Sequence, residues 1–384
     1  MTDAIVHLGM PKTGTTSIQS ALANNRPVLD RRGYRYSATF GPAGQAALSL
    51  RVLSDVYANR DEPPATDLED RVRRMDRAVF QALDDRLAAE IASHTERIFV
   101  FSSEMLFDTL GSDEGIKALT SYFARRFERV RYVAYLRRQD RHIVSGYAQR
   151  ANNGYVETFE DYLRYQLGKS TYLYHANFER LSSRVGHEAV TLRPFEKGQL
   201  RNADAARDFL ALLGVEPAEL IRPSEHLNPT WDTASIAFAH ALGAHTPLRS
   251  GGRLAAAWQM VVPAIASLPQ TWPRFALGKE DAEALLVRFA DENAAVARDY
   301  LGREDGVLFA EPVEETDGST ELRIDLDRMA EISGRVIELA ANRASVATID
   351  DRDARIAFLQ RRLAEANERV QMLRAYKPRG SDDA

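Results

Sequence analysis

The chain opens with an apolar run, AIVHL at residues 4–8, broken at once by the glycine, proline and threonine of GMPKTGTT. After that turn Ile18, Leu22 and Val28–Leu29 recur at roughly helical spacing, and Gly33 ends the segment. The pattern predicts strand, loop, helix. Residues 36–66 read as loop-rich with a helical piece over 48–57, punctuated by Pro63–Pro64. An amphipathic helix is predicted over residues 67–94, then a buried strand at Ile98–Ser102. A helix over 116–127 leads into a third strand, VRYVAYLR, and another helix starts near Asp140. EAVTLRPFE at 188–196 is a further strand, and ADAARDFLALLG a further helix.

Short, near-continuously apolar strands alternating with helices imply a parallel sheet covered on both faces. The expected fold class is α/β, a P-loop-like three-layer arrangement around a central parallel sheet, with a C-terminal helical and coiled-coil extension. Residues 225–310 read as helical with proline breaks. Residues 311–345 form an acidic linker, EPVEETDGST, and a helix near 326–344. Beyond it Ile349, Ile356, Leu359, Leu363, Ala366, Val370 and Leu373 make a heptad seam, predicting a coiled-coil helix over 346–376. That seam predicts self-association or docking to a partner protein. The last residues, 377–384, are expected to be disordered. The expected organisation is thus an α/β domain over 1–310 followed by these three segments.

Composition changes this picture little. The hydrophobic share of 45% and charged share of 27% are those of an ordinary globular chain. A formal net charge of −5 argues against nucleic acid as partner. Without cysteine the chain has neither a disulfide framework nor a thiolate metal site. The first strand begins within four residues, leaving no room for a signal peptide. LAAAWQMVVPAIASLP at 254–269 is the longest apolar stretch and too short to span a bilayer, so no transmembrane segment and a cytoplasmic location are expected. Lysine supplies six of the fifty basic residues, which makes Lys12 conspicuous.

In α/β sheets ligands bind beyond the carboxyl ends of strands. Three predicted strands end in reactive-looking residues: His7–Thr16, Ser102–Glu104 and Arg137–Ser145. In the first, Gly9 and Gly14 keep the spacing of a Walker A loop, but Thr15 stands where its lysine belongs. Gly14 permits close backbone approach, and the following helix N-terminus offers free N–H groups to an anion. Thr15, Thr16 and Ser17 add hydroxyls, and Lys12 a mobile point charge. In the third stretch Arg137 ends a strand and Ser145 lies eight residues on, a pairing suited to a second phosphate. Arg125, Arg126, Arg129 and Arg141 read as a solvated face.

Together, PKTGTT and the arginine–serine pair in LRRQDRHIVSGYAQ resemble the paired signature of sulfotransferases that use 3′-phosphoadenosine 5′-phosphosulfate (PAPS). VTLRPFEKGQL with DFLALLG is similar to a stretch of bacterial carbohydrate-type members, and the resemblance covers roughly residues 3–230. It implies that Lys12 meets the bridging oxygen and the transferring sulfuryl group. It further implies that Pro11, Lys12, Thr13, Gly14, Thr15, Thr16 and Ser17 form the 5′-phosphosulfate loop, and that Arg137 and Ser145 hold the 3′-phosphate. Two features depart from the cytosolic branch of that family. Ser17 stands where a tryptophan stacks on adenine, and RSGGR at 249–253 only faintly echoes its C-terminal Arg-Lys-Gly motif. Phe195 is a candidate neighbour of the adenine.

An acceptor hydroxyl attacking sulfur must lose its proton, and a carboxylate within reach can take it. Glu104 is the leading candidate for that base, with His7 as competitor and Asp108 behind them. His226, His240 and His245 lack the spacing of a helical zinc site. Sulfuryl transfer needs no metal, because a lysine and oriented amides can stabilise its transition state. The expected function is sulfuryl transfer from PAPS to a hydroxyl or amine of an acceptor, a glycan being favoured by the resemblance. Tyr155, Tyr162, Tyr165, Tyr172 and Tyr174 offer rings that could stack on sugars, and loops from 36–66, 150–175 and 225–260 would line the acceptor pocket. Alternative readings are a small-molecule kinase using ATP and magnesium, and a catalytically inactive oligomeric adaptor.

Overall fold

The computed structural model describes residues 2–57, 67–95, 97–153, 155, 157–215, 231–246, 249–250, 253–255, 257–269, 273–316 and 318–347. In chain order the described elements begin with β1 (Ala4–Leu8), α1 (Thr15–Asn24), α2 (Arg26–Arg31), β2 (Tyr34–Tyr36), α3 (Ala46–Tyr57), α4 (Asp67–Arg73) and α5 (Arg77–Ser93). Next come β3 (Ile98–Ser103), α6 (Asp113–Ala124), β4 (Val130–Leu136), α7 (Gln139–Asn152), α8 (Phe159–Leu167), α9 (Tyr174–Val185), β5 (Val190–Pro194) and α10 (Ala205–Leu212). The later helices are α11 (Thr233–Gly243), α12 (Trp258–Ser267), α13 (Lys279–Val287), α14 (Ala290–Leu301) and α15 (Leu326–Ala347).

The five strands form one parallel sheet in the order β2-β3-β1-β4-β5. All five residues of β1 are buried, as a central strand covered on both faces requires. Alternate residues supply the two faces. Ile5, Val100, Val133 and Tyr135 pack under α1, α2 and α10 with Ile18, Leu22, Leu29 and Phe209. Phe99 and Phe101 point the other way, into an aromatic cluster with Phe123 and Phe127 at centroid distances of 5.2–5.6 Å for the inter-element pairs. Each fully buried phenylalanine contributes about 1.5–3 kcal/mol by leaving water. The α/β fold with a central parallel sheet is the one expected from the hydrophobic pattern.

Local chemistry moves some boundaries. The helix expected over 67–94 is two helices, because Asp76 takes an extended backbone (φ −61°, ψ 130°) and its side chain accepts from Ala78 N–H. That capping bond offers the chain an alternative to continuing the helix. Similar caps start α6 (Ser112), α8 (Thr158) and α10 (Asp204). α1 has none: its N-cap is Gly14, left-handed at φ 76°.

The described elements sort into two compact units. One gathers the sheet with α1–α10, α13 and α14. The other is built from α11, α12 and α15, where α15 packs on both partners. It also holds a two-residue antiparallel pair, Arg249–Ser250 with Arg253–Leu254. Pro263 lies within α12 without ending it. The heptad seam from Ile349 to Leu373, the tail 377–384 and Pro63–Pro64 lie outside the described residues. Among the described residues no helix is long and apolar enough to cross a membrane.

Candidate active site

β1 is flanked by β3 and β4, so the carboxyl ends of these three strands share one edge of the sheet. This brings together the three polar stretches singled out in the sequence. The loop after β1 is tightly folded: Lys12 is left-handed at φ 64°, as is Gly14. A Cβ on Gly9 would come within 2.7 Å of Thr15 Cγ2 and 2.9 Å of Glu104 Cα. Glycine therefore permits the loop to lie directly against the start of the Glu104 segment. A Cβ on Gly14 would meet the Phe195 ring at 3.2 Å, so Phe195 borders the loop from the β5 side.

The threonines divide the work. Thr13 and Thr15 are buried, and both hydroxyls donate to the Met10 carbonyl, at 2.6 and 3.1 Å. Their donors are spent on holding the loop closed. Thr16 and Ser17 are exposed at the uncapped start of α1, where the hydroxyls and first-turn N–H groups remain open to an anion. Pro11 and Lys12 are half-buried.

Arg137, at the end of β4, donates from Nη1 to the Lys12 carbonyl at 2.8 Å. Its guanidinium lies 5.8 Å from the Phe195 ring centroid, a cation–π placement. Burial pushes Arg137 down to about 10, and the neighbouring Arg141 adds to the depression. Such a cation would be relieved by an incoming anion. Lys12 is also lowered, by burial first and by Arg137 second, with Glu104 opposing. Ser145 sits partly exposed in the second turn of α7.

Glu104 opens the 3-10 helix that follows β3 and is half-buried. Burial raises its carboxyl above the usual range, while the charge of Lys12 holds it back. Asp108, one turn on, is exposed to solvent. Desolvation raises its carboxyl to about 6, with Lys169 opposing and Glu104 adding. Ser102 and Ser103 do not join the site: both are buried, bonded to His7 Nδ1 at 2.8 Å and Ser49 Oγ at 2.7 Å.

His7 is enclosed. Its ring is fully buried between Tyr135 and Phe209, and burial lowers its pKa to about 3. Among the five tyrosines considered for stacking, Tyr162, Tyr172 and Tyr174 are buried too. Tyr165 is 53% exposed, with Lys169 Nζ 4.3 Å from its centroid. Nor are all the outer arginines simply solvated. Arg126 lies 3.9 Å over the Tyr122 ring and pairs with Asp84, and Arg141 pairs with Glu311.

Two contributions are not those the sequence suggested: Tyr174, expected as a stacking ring, and His142, not singled out at all. Tyr174 donates its hydroxyl to the Arg137 carbonyl at 2.6 Å, tying α9 to the end of β4. His142 is buried beside the loop, with Nδ1 3.0 Å from the Tyr172 hydroxyl and the Pro11 carbonyl acting on its ring. Burial, then the charge of Arg137, lowers it to about 3. The position of His142 inside the arginine–serine stretch was the available signal.

No family model matches the chain, and no curated protein matches it either. Among solved structures the chain is similar to the crystal structure of a sulfotransferase from Alicyclobacillus acidocaldarius, at 16% identity and a TM-score of 0.39, covering 67% of this chain and 99% of that one.

Proposed function

We propose that this chain transfers a sulfuryl group from PAPS to a hydroxyl of an acceptor by direct in-line displacement. The observation that carries this reading is the contact between Arg137 and the Lys12 carbonyl. It joins the two halves of the motif pair at the carboxyl end of the sheet, where the Lys12 and Glu104 charges act on each other.

In this reading Thr16, Ser17 and the N-terminal amides of α1 hold the 5′-phosphate, while Arg137 and Ser145 hold the 3′-phosphate. Glu104 takes the acceptor's proton as the new oxygen–sulfur bond forms. Lys12 meets the negative charge that develops on the bridging phosphate oxygen as the old sulfur–oxygen bond breaks. Glu104 is favoured over His7 because a base must reach its proton, and the His7 ring is sealed in the core. A glycan acceptor stays part of the proposal on the strength of the sequence resemblance.

The kinase alternative fares worse on one detail. Its lysine would occupy position 15, and here Thr15 is buried with its hydroxyl turned to the Met10 carbonyl. Calorimetric titration with adenosine 3′,5′-bisphosphate, and separately with ATP and magnesium, decides between them. Tight metal-independent binding of the bisphosphate is expected; preference for ATP with magnesium overturns the proposal.

A further inference from the structure

Glu104 leaves the sheet two residues after Ser102, so the last rungs of β3 set the direction in which its carboxylate is delivered. On the β1 side those rungs are regular, and Gly9 N–H of the loop after β1 donates to the Ser103 carbonyl at 3.0 Å. The β2 side is different. Its paired register ends at Tyr36 with Val100, closed by Ser37 N–H on the Val100 carbonyl at 3.4 Å. In a parallel ladder the next bonds would run from Ser102 N–H to the Ser37 carbonyl, and from Thr39 N–H to the Ser102 carbonyl.

Two side-chain amides stand in their place. Gln45, fully buried immediately before α3, accepts from Ser102 N–H at 2.8 Å through Oε1 and donates through Nε2 to the Ser37 carbonyl at 2.6 Å. Its amide is inserted between the two backbone groups that would otherwise bond each other. Gln19, in the second turn of α1, donates to the Ser102 carbonyl at 3.1 Å. Thr39 N–H turns back to the Ser37 hydroxyl at 3.2 Å. Gly44 leaves room for this arrangement, since a Cβ there would come within 2.9 Å of Gln19 Oε1. Every backbone group of these two rungs is paired, as burial demands, while β2 and β3 are held an amide's width apart.

Ordering two glutamine side chains costs entropy that a plain backbone ladder does not. What the substitution provides is a fixed splay at the carboxyl edge of the sheet, and a bond from the helix that opens on the phosphate loop to the strand that carries Glu104. We propose that Gln45 and Gln19 are positioning residues for Glu104, replacing the last two backbone rungs of β3 and so fixing where its carboxylate stands relative to α1. The proposal rests on the reading of Glu104 as the base. Neither glutamine touches the reacting atoms; both act through the peptide groups of Ser102.

A double-mutant cycle separates positioning from plain support of the fold. Gln45→Met keeps the length of the side chain and removes both of its bonds. In the wild-type background it should lower kcat about 10–100-fold, as a misplacement of up to about 1 Å does, with bisphosphate affinity held within about 2-fold. In a Glu104→Gln background the same change should cost less than about 2-fold, because the group it aims is gone. Equal losses in both backgrounds, or a parallel loss of bisphosphate affinity, overturn the proposal. Gln19→Met leaves the Gln45 bonds in place and decides by the same cycle should Gln45→Met fail to fold. Carbon-13 NMR of the Glu104 carboxyl gives a readout that needs no turnover. Either variant should bring its raised titration down toward the ordinary carboxylate range, and an unchanged titration overturns the proposal. Should the wild type bind no bisphosphate and transfer no sulfuryl group, the donor reading falls, and that titration alone decides whether the two glutamines place Glu104.

Discussion

Arg137 donates to the backbone carbonyl of Lys12 at 2.8 Å, so the guanidinium expected to hold one end of the donor also fixes the lysine expected to act at the other. Lys12 needs that support, because its φ of 64° is an unfavourable backbone for a residue with a side chain. The contact separates two variants that would otherwise look alike. Lys12→Ala is expected to cut turnover about 10²–10³-fold, as loss of one transition-state charge partner does, while bisphosphate binding largely survives. Arg137→Ala should weaken bisphosphate binding and also lower turnover about 10–100-fold, the worth of a charged hydrogen bond. Steady-state kinetics beside calorimetry reads both; an Arg137→Ala enzyme with full turnover at saturating donor would sink the coupling.

A base must be deprotonated to act, so the pH at which rate is lost reports its pKa. Glu104 is raised by burial, which places the acid limb of kcat/KM above the ordinary carboxylate range of about 4.3. Lys12 must stay protonated, and its lowered pKa brings the alkaline limb below the usual lysine value of about 10.4. Glu104→Gln is expected to lose about 10²–10⁴-fold in rate and to lose the acid limb with it. Asp108, raised to about 6, is the group to exclude. Asp108→Asn should retain the acid limb, and its disappearance there would transfer the role to Asp108.

Much of the layout of the candidate site was legible in the sequence, because its residues end runs whose period and apolarity mark them as buried parallel strands. Lys12, Glu104 and Arg137 each follow such a run by a few residues, and the switch-point rule for α/β sheets does the rest. What escaped depends on distance along the chain. Glu311 lies 170 residues from Arg141, and nothing in the acidic linker signals that one of its carboxylates has an arginine waiting. Tyr174 looked like a stacking ring because sequence gives its identity but not its burial; in the fold its hydroxyl serves the Arg137 carbonyl. Thr13 and Thr15 were legible as hydroxyls, but not as donors already spent on Met10.

The two enclosed histidines make the fold acid-sensitive. Burial lowers both His7 and His142 to about 3. In the unfolded chain each titrates near 6.5, so between those values the unfolded state binds more protons. Their contribution is therefore complete above pH 6.5 and is lost progressively as pH falls toward 3, by up to about 1.4 kcal/mol per pH unit for each. Urea unfolding at pH 7.5 and at pH 5 measures the slope. His7→Phe should reduce it while costing some stability at neutral pH through the Ser102 hydroxyl left behind. A variant with the wild-type slope would mean that His7 is not held neutral.

In the helical unit, α15 is anchored by a buried ion pair whose worth depends on how it is broken. Arg328 and Asp232 are 1% and 0% exposed, with Nη2 3.1 Å from Oδ2. Arg328 Nε also donates to Ser235 Oγ at 3.2 Å, and Asp232 caps α11 through Ser235 N–H at 2.8 Å. Arg328→Ala removes the cation lying 3.1 Å from the buried Asp232 carboxylate and should destabilise this unit by about 3–5 kcal/mol. Replacing both charges, as Arg328→Met with Asp232→Asn, keeps the volume and the cap while removing the desolvated ions, so it should cost much less. Hydrogen exchange across α11, α12 and α15 separates the cases: rapid exchange in the single variant, near-native protection in the double. Equal loss in both would locate the stability in the bond geometry of the pair rather than in the compensation of its charges.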